Sequence, residues 1–162
     1  MSKHTAIYPG TFDPFTNGHL DLVRRGLRMF DNIIVAIAPS IKKNPLFSTE
    51  ERLSIARETL KEYRNVSIEI FEGLLVDYVA KRKGAAIIRG LRAVSDFEYE
   101  LQMALMNRRL SSEIETVFMM PSEEYSFLTA TIVKEIASLG GDVSSLVPPN
   151  VEKALKSRFG KP

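Results

Sequence analysis

Short apolar segments alternate with segments of helical periodicity along the chain. The first apolar segment is Thr5 to Tyr8, and after a loop Leu20, Val23, Leu27 and Phe30 recur at the spacing of one helix face. A short apolar run bounded by turn residues favours a strand, and recurrence at every third or fourth residue favours a helix. The N-terminal part of the chain is therefore predicted to fold as strand, loop and helix.

Four more strands and five more helices are predicted in the same way. The strands are Ile33–Ala38, Val66–Ile70, Ala85–Ile88 and Thr116–Met120. The first of these helices begins after a capping box at Ser48–Glu51. The next three occupy Leu74–Lys83, Asp96–Leu110 and Ile132–Ala137, and the last is a short segment after Pro149. Asp96 is expected to cap the fourth helix, while Gly84 and Gly140 are expected to end the third and the fifth.

Strands and helices that alternate in this way specify an α/β fold. We predict a Rossmann-like, doubly wound fold with a five-stranded, mostly parallel sheet and helices on both faces, formed by residues 1–162 as one domain. Ligands of such folds bind beyond the carboxyl ends of the strands. The polar loops predicted at that edge are 9–19, 89–92 and 125–131, together with Lys42 and Lys43.

Composition excludes several kinds of site. The chain has no cysteine, which rules out disulfides, thiolate catalysis and cysteine-ligated zinc, and its two histidines cannot make a histidine-rich metal site. The net charge of +2 is too small to predict binding to nucleic acid or to a membrane. The longest apolar run, Ile33–Ala38, is far shorter than the roughly 18 residues of a membrane span. With no apolar signal segment at its start, the chain is expected to be a cytoplasmic enzyme or binding protein.

Two of the polar loops hold groups that suit an anion. Thr16-Asn17-Gly18-His19 precedes the first helix, where an imidazole and free backbone N–H groups would face one phosphate. Arg89 and Arg92 follow a predicted strand, and Gly90 between them would let a ligand approach the backbone. Taken alone, the first motif is better explained as an ordinary turn, and the second as surface arginines paired to nearby glutamates. Their meeting at one edge of the sheet favours a phosphate site.

Three segments together resemble a known enzyme family. They are Tyr8-Pro9-Gly10-Thr11-Phe12-Asp13-Pro14-Phe15-Thr16-Asn17-Gly18-His19, then Ile88 to Glu100, and finally Met120-Pro121-Ser122 with Tyr125-Ser126-Phe127. The first carries the (Thr/His)-x-Gly-His signature of the nucleotidyltransferase superfamily, and the set resembles the bacterial phosphopantetheine adenylyltransferases over almost the full chain. That family transfers the adenylyl group of ATP to 4'-phosphopantetheine. The reaction releases pyrophosphate and forms 3'-dephospho-coenzyme A, the penultimate step of coenzyme A synthesis.

The resemblance implies roles for individual residues. Catalytic roles are implied for Thr11, His19, Lys43 and Arg92, with His19 donating to the α-phosphate. Binding of ATP is implied for Thr11, Phe12, His19, Gly90, Leu91, Arg92, Glu100, Tyr125, Ser126, Phe127, Leu128, Thr129, Ala130 and Thr131. Binding of phosphopantetheine is implied for Thr11, Lys43, Leu75 and Arg89. The family commonly has serine where Ala130 stands, so a phosphate bond there must come from the backbone N–H.

The resemblance also implies partners. Magnesium is expected with ATP, without a protein ligand that the sequence identifies, and the usual assembly of the family is a homohexamer built as a dimer of trimers. Dephospho-coenzyme A is expected as product, with coenzyme A as a further product or inhibitor. Met103 and Met106 are interpreted as core packing, with lining of the pantetheine arm as the alternative. Two other functions stay open, a sister nucleotidyltransferase acting on another phosphate acceptor and a noncatalytic nucleotide-binding regulator.

Overall fold

The computed structural model describes residues 4–39, 44–95 and 97–160. Its strands are β1 (Thr5–Gly10), β2 (Asn32–Ile37), β3 (Val66–Ile70), β4 (Ala86–Gly90) and β5 (Glu115–Met119). All are parallel, and they form one sheet in the order β3-β2-β1-β4-β5. The predicted Rossmann-like α/β fold and its five predicted strands are confirmed.

Helices connect the strands and also follow the last of them. They are α1 (Asn17–Gly26), α2 (Thr49–Leu60), α3 (Leu75–Lys81), α4 (Phe97–Leu110), α5 (Ala130–Ser138) and α6 (Pro149–Phe159), with a 3-10 turn at Glu123–Tyr125. The predicted capping box of α2 is present, since the Ser48 hydroxyl accepts from the Glu51 N–H and the Glu51 carboxylate accepts from the Ser48 N–H. Gly140 ends α5 with φ 78°, as predicted. The predicted cap Asp96 lies outside the described residues.

The first helix is shorter than its apolar pattern suggests. α1 ends at Gly26, so Leu27 and Phe30 lie in the turn that follows it. Both side chains still pack, partly buried, against the core. The apolar spacing therefore extends past the end of α1, because the chain after the helix still packs Leu27 and Phe30 against the same core.

The third helix ends differently from the prediction. α3 stops at Lys81, and Lys83, rather than Gly84, takes the left-handed conformation with φ 53°. A Cβ atom on Gly84 would lie 2.9 Å from Cγ1 of Ile7. Close packing against β1, not backbone conformation, therefore requires glycine at position 84.

Side chains of the sheet pack into two apolar clusters, one on each face. The larger cluster contains Tyr8, Val35 and Ile88 and is covered mainly by α1, α2, α5 and α6. The smaller contains Ile7 and Ile34 together with residues of α3. Because successive side chains of a strand point to opposite faces, the neighbours Ile7 and Tyr8 belong to different clusters.

β1 pairs with its two neighbours over different lengths. It pairs with β2 from Thr5 to Gly10, but with β4 only at Ala6 and Ile7. The strand order also reverses at this point, because the chain leaves β1 toward β2 on one side and returns to β4 on the other. The carboxyl ends of β1 and β4 therefore do not pair with each other, and they lie at the position where open α/β sheets bind ligands.

α4 is apolar yet exposed in the single chain. None of its residues is buried, and Phe97 and Leu105 are each more than half exposed. Met103 and Met106 are 42% and 47% exposed, so their interpretation as core packing is wrong. In the described ranges no helix is both long and apolar enough to span a membrane.

Candidate active site

A cavity of about 830 Å³ opens at the carboxyl ends of β1 and β4. Its volume is within the usual range for small-molecule sites. Most of the predicted site residues line it, although they come from distant parts of the chain. They are Thr11, Phe12, His19, Leu75, Arg89, Gly90, Arg92, Glu100, Leu128, Thr129, Ala130 and Thr131.

Four residues predicted to bind ATP lie beside the cavity rather than in its wall. They are Leu91, Tyr125, Ser126 and Phe127. The Leu91 N–H donates to the Met119 carbonyl (2.9 Å), and the Ala93 N–H donates to the Ser126 carbonyl (3.1 Å). These two bonds join the loops that follow β4 and β5. Lys43, predicted to hold the acceptor phosphate, lies outside the described residues.

The orientation of His19 is fixed by the N-cap of α1. Nδ1 of His19 accepts a 2.9 Å hydrogen bond from the Thr16 N–H, and the Thr16 hydroxyl accepts from the His19 N–H at 3.3 Å. The pair forms a capping box in which histidine takes the position that glutamate or glutamine usually occupies. Because Nδ1 accepts, the neutral ring carries its proton on Nε2. Within the described residues Nε2 has no partner, so it can donate to a ligand in the cavity.

Burial holds His19 in its neutral form. Burial, followed by the charges of Arg92 and Arg89, lowers the pKa of His19 from 6.5 to about 3. The rings of Phe12 and Phe15 lie 4.9 and 5.3 Å from the imidazole, centroid to centroid. His19 is therefore a neutral N–H donor at physiological pH, and neither ring nitrogen is free to accept a proton from a substrate.

The N-terminus of α1 offers fewer free N–H groups than predicted. The Asn17 N–H donates to the Leu146 carbonyl (2.9 Å), and the His19 N–H is taken by the Thr16 hydroxyl. Within the described residues Gly18 alone keeps a free N–H in the first turn, and it lines the cavity. An anion at this position would be held by the Gly18 N–H and His19 Nε2 rather than by an open helix end.

Arg89 is bound to other residues of the chain. Its Nε and Nη2 donate to the two carboxylate oxygens of Glu100 at 2.9 and 2.6 Å, and its Nη1 donates to the Pro9 carbonyl at 3.2 Å. Pairing with a glutamate of the next helix, which the sequence left open, is therefore present. The Arg89 side chain is only 35% exposed, so this is a cavity wall and not a solvated surface pair. Through Pro9, Arg89 also bridges the ends of β1 and β4, which do not pair with each other.

Arg92 and the N-terminus of α5 face the cavity together. Nη1 of Arg92 donates to the Leu128 carbonyl at 2.7 Å, and its Nε and Nη2 have no partner in the described ranges. Thr129 caps α5, with its hydroxyl accepting from the Ile132 N–H at 3.1 Å. The backbone N–H groups of residues 130–131 remain without a partner in the described chain, and both residues line the cavity. A helix N-terminus beside a guanidinium group favours phosphate.

The loop after β1 is held in an uncommon conformation. Phe12 has φ 51°, which is rare for an aromatic residue. Its ring stacks on Phe15 at 5.3 Å and meets Tyr8 edge-on at 5.2 Å. A Cβ atom on Gly10 would lie 3.0 Å from two atoms of the Phe12 ring, so a side chain there would require the ring to move by a few tenths of an ångström. Phe12 is only 3% exposed, and its main contacts hold the loop and the His19 ring in place.

Gly90 has a packing role that the sequence did not reveal. A Cβ atom there would lie 2.5 Å from Cδ1 of Leu22 in α1. The missing side chain therefore lets α1 pack closely against the end of β4. Gly90 also lines the cavity, so the predicted approach of a ligand to its backbone remains a prediction.

Arg52 was not predicted, yet it joins two segments that line the cavity, at Thr11 and Ala38. It is 1% exposed, and Nη1 donates to the carbonyls of Thr11 (2.6 Å) and Ala38 (2.8 Å). Nε donates to the Phe47 carbonyl (3.3 Å), and Nη2 donates to the Thr49 hydroxyl (3.0 Å). One buried guanidinium thus joins the segments that follow β1 and β2 to the start of α2. In the sequence it looks like an exposed charge in a first helical turn.

Asp13 and Lys134 form a second unpredicted link. The buried Asp13 carboxylate accepts from the N–H groups of Leu46 (3.0 Å) and Phe47 (2.9 Å) and from Lys134 Nζ (3.0 Å). Lys134 is on α5, and both charged residues line the cavity. The pair ties the loop after β1 to α5. Only the position of Asp13 within the first motif could have drawn attention to it.

Side chains from α3 and α4 form a further wall of the cavity. They include Leu75, Met103, Ala104 and Asn107. Met103 therefore has the position required for the alternative role considered for it, whereas Met106 is not part of the cavity wall. This wall is more apolar than the one built by His19 and Arg92.

The cavity offers no free carboxylate among its described lining residues. Asp13 and Glu100 are its two acidic residues there, and each is bound by a cation on its own chain. Within the described residues no three acidic, histidine or cysteine side chains come together in a way that could hold a metal ion. The arrangement supplies donors and positive charge, which suits binding and stabilising phosphates.

Comparisons with known proteins agree with this chemistry. Residues 7–136 match the profile of the cytidylyltransferase-like family. A phosphopantetheine adenylyltransferase from Thermodesulfovibrio yellowstonii is 59% identical over 162 residues, covering 99% of this chain and 100% of that protein. Another from Ralstonia pickettii is 59% identical over 156 residues, covering 96% of this chain and 93% of that protein. One from Syntrophotalea carbinolica is 53% identical over 159 residues, covering 98% and 96%.

A solved structure confirms the fold independently. It is a Vibrio parahaemolyticus protein whose proposed identity is nicotinate-nucleotide adenylyltransferase, with a TM-score of 0.71. The alignment covers 98% of this chain and 95% of that chain, at 19% sequence identity. At this identity the likeness concerns the architecture alone.

Proposed function

The chain belongs to the phosphopantetheine adenylyltransferase family, and we propose that it transfers the adenylyl group of ATP to 4'-phosphopantetheine by direct in-line attack. The products are 3'-dephospho-coenzyme A and pyrophosphate. Identity of 53% to 59% over nearly the whole chain favours this acceptor over that of a sister enzyme. The observation that carries the mechanism is a cavity rich in fixed donors whose described acidic residues are both bound by cations.

A reaction of this kind does not need a general base. A phosphomonoester has its second pKa near ~6, so the attacking oxygen of 4'-phosphopantetheine is already anionic at pH 7. What the reaction requires is alignment of the two phosphates and compensation of the charge that develops at the α-phosphorus. A neutral His19 that donates through Nε2 meets that need better than a proton acceptor would.

The nucleotide side is built by three groups. His19 Nε2 donates to the α-phosphate. Nε and Nη2 of Arg92, which have no partner among residues 4–39, 44–95 and 97–160, bind the phosphates that become pyrophosphate. The N–H groups of residues 130–131 add to this side, so Ala130 contributes through its backbone. Thr129 is already engaged as the cap of α5, which leaves only its hydroxyl proton for a ligand.

The side of the cavity that binds 4'-phosphopantetheine combines polar groups for its phosphate with apolar side chains for its pantetheine arm. Thr11 and Lys43 hold the reacting phosphate, with the Thr11 backbone fixed by Arg52. Arg89 stays paired with Glu100. It therefore contributes through the electrostatic attraction of its positive charge for the phosphate, and not through direct hydrogen bonds to it. Leu75 and Met103 pack against the pantetheine arm.

Magnesium enters this reaction with ATP. An ion of this kind usually keeps several waters and binds through the phosphates of its nucleotide.

We further propose that the chain assembles as a homohexamer and acts in the cytoplasm. The support for assembly is the exposed apolar surface of α4, which includes Phe97 and Leu105. Light scattering coupled to gel filtration should give six times the 18.2 kDa mass of one chain. Leu105→Glu should reduce that mass, and a single-chain mass for the unmodified protein would contradict the proposal.

The function is tested by incubating the protein with ATP, magnesium and 4'-phosphopantetheine and detecting dephospho-coenzyme A by mass. Parallel reactions offer nicotinamide mononucleotide with ATP and glycerol phosphate with CTP. Of the three reactions, only the one with ATP and 4'-phosphopantetheine is expected to give product. Turnover of another acceptor instead would show a sister enzyme, and nucleotide binding without any turnover would show a noncatalytic regulator.

A further inference from the structure

Tyr8 lies where β1 and β4 stop pairing. The last residue pair between these strands is Ile7 with Ile87, so Tyr8 is the first β1 residue beyond it. Its ring packs edge-on against Phe12 at 5.2 Å, and the whole residue is only 5% exposed. Phenylalanine would fill the same apolar space, so packing alone does not explain the hydroxyl.

The Tyr8 hydroxyl has no hydrogen-bond partner in the described chain. No buried side-chain oxygen or nitrogen of the described residues is left without a partner. The small exposed part of Tyr8 must therefore include its hydroxyl oxygen, and Tyr8 lines the cavity. Tyr8 is thus buried except for 5% of its surface, and its hydroxyl, which has no partner among the described residues, faces the cavity.

Charges around Tyr8 favour an anionic ligand for that donor. Arg89 and Arg92 are its principal cationic neighbours, and Asp21 is the acidic one. Asp21 cannot readily serve as the partner, because its two oxygens accept from the backbone N–H and the hydroxyl of Ser122. Burial outweighs the two arginines and raises the pKa of Tyr8, so the phenol stays protonated and can donate.

We propose that the Tyr8 hydroxyl donates a hydrogen bond to an anionic phosphate oxygen of a bound substrate, on the floor of the cavity near Arg89 and Arg92. The inference rests on the proposed adenylyl transfer and adds a ligand contact to it. Phosphate oxygens belong to both ATP and 4'-phosphopantetheine, and the experiment distinguishes these two sources.

The test is Tyr8→Phe, which removes one oxygen and keeps the ring. Tyr63→Phe is the matched control, because its hydroxyl accepts from Arg24 Nε at 2.7 Å and Tyr63 is not part of the cavity wall. Hydrogen bonds to charged groups are worth about 1.5–3 kcal/mol, so kcat/KM for the contacted substrate should fall at least about tenfold in Tyr8→Phe. Its melting temperature should stay close to that of the unmodified chain, and Tyr63→Phe should keep the original kinetics.

Binding measurements assign the source of the phosphate. Calorimetric titration with a nonhydrolysable ATP analogue and, separately, with 4'-phosphopantetheine should show weaker affinity for one of them. A fall in kcat with both affinities preserved would place the contact in the transition state. Kinetics and both affinities within twofold of the unmodified protein would overturn the proposal. If the unmodified protein makes no dephospho-coenzyme A, the proposed function fails. Unchanged affinity of Tyr8→Phe for both the ATP analogue and 4'-phosphopantetheine would then reject the Tyr8 contact separately.

Discussion

The Thr16 N–H donates to Nδ1 of His19 at 2.9 Å, and this single bond decides which nitrogen of the ring faces the cavity. It turns the histidine of a helix-capping motif into a fixed Nε2–H donor. Because Nδ1 accepts this bond and Nε2 already carries the ring proton, His19 does not need to exchange protons. Its neighbour Thr16 is 2% exposed, so the cap is shielded from competing water.

Removing the His19 imidazole should slow the reaction without unfolding the protein. His19→Ala is expected to lower kcat by about 10² or more, the scale seen when one transition-state donor is deleted. Steady-state kinetics on both substrates would measure this, with circular dichroism to confirm folding. His19→Gln is a useful companion, because glutamine can restore the capping box and separates loss of the cap from loss of the imidazole. Near-normal turnover by folded His19→Ala would contradict the assigned role.

The neutral state of His19 should persist well below neutral pH. With a pKa of about 3, the ring is expected to keep its Nε2–H tautomer from pH 8 to pH 5. Nitrogen-15 NMR of the ring, assigned by comparison with His19→Gln, would report both the tautomer and the charge. A titration of the assigned resonances near pH 6 would refute the neutral assignment.

The lowered pKa of His19 should also make the stability of the folded protein depend on pH. The pKa of His19 is lower in the folded chain than its ordinary 6.5, so below about pH 6.5 the unfolded chain binds a proton that the folded chain does not. The free energy of unfolding should therefore fall as the pH drops from about 6.5 toward 3. Urea unfolding at pH 7.5 and pH 5 should show a smaller loss for His19→Gln than for the unmodified protein. An equal loss in both would show that His19 does not contribute.

Arg92 should matter through Nε and Nη2, which have no partner among the described residues. Arg92→Ala is expected to reduce kcat/KM strongly, because no other side chain reproduces the guanidinium fork that Nε and Nη2 present to a phosphate. Arg64→Ala, at an exposed position outside the cavity wall, is the matched control. Unchanged kcat/KM for both substrates in Arg92→Ala would be inconsistent with phosphate binding there.

Arg52 should be the most important unpredicted residue for stability. Arg52→Met leaves the carbonyls of Thr11, Ala38 and Phe47 without their charged donor, so a loss on the order of 3 kcal/mol in the free energy of unfolding is expected. Arg57→Met, on the exposed surface of the same helix, should change it by less than about 0.5 kcal/mol. Urea unfolding measures both. Similar values for the two variants would contradict a bracing role for Arg52.

Much of the fold could be predicted because it follows local rules. The five strands have short apolar runs, and Ser48 and Gly140 mark helix ends by capping chemistry that acts within a few residues. The errors arose where packing acts across the chain. Gly84 and Gly90 are glycines because Ile7 and Leu22 lie too close for a Cβ atom, which no local pattern reveals.

The sequence by itself determined that His19, Arg89, Arg92 and the loop before α5 would meet at one edge of a parallel sheet, because strand order and direction follow from the alternation of elements. Only the tertiary structure decided how each group is used. Arg89 is paired, whereas Nε and Nη2 of Arg92 have no partner in the part of the chain that the structure describes. The physical reason is that charge and hydrogen-bond partners depend on distances between segments far apart in sequence, and those distances exist only in the folded chain.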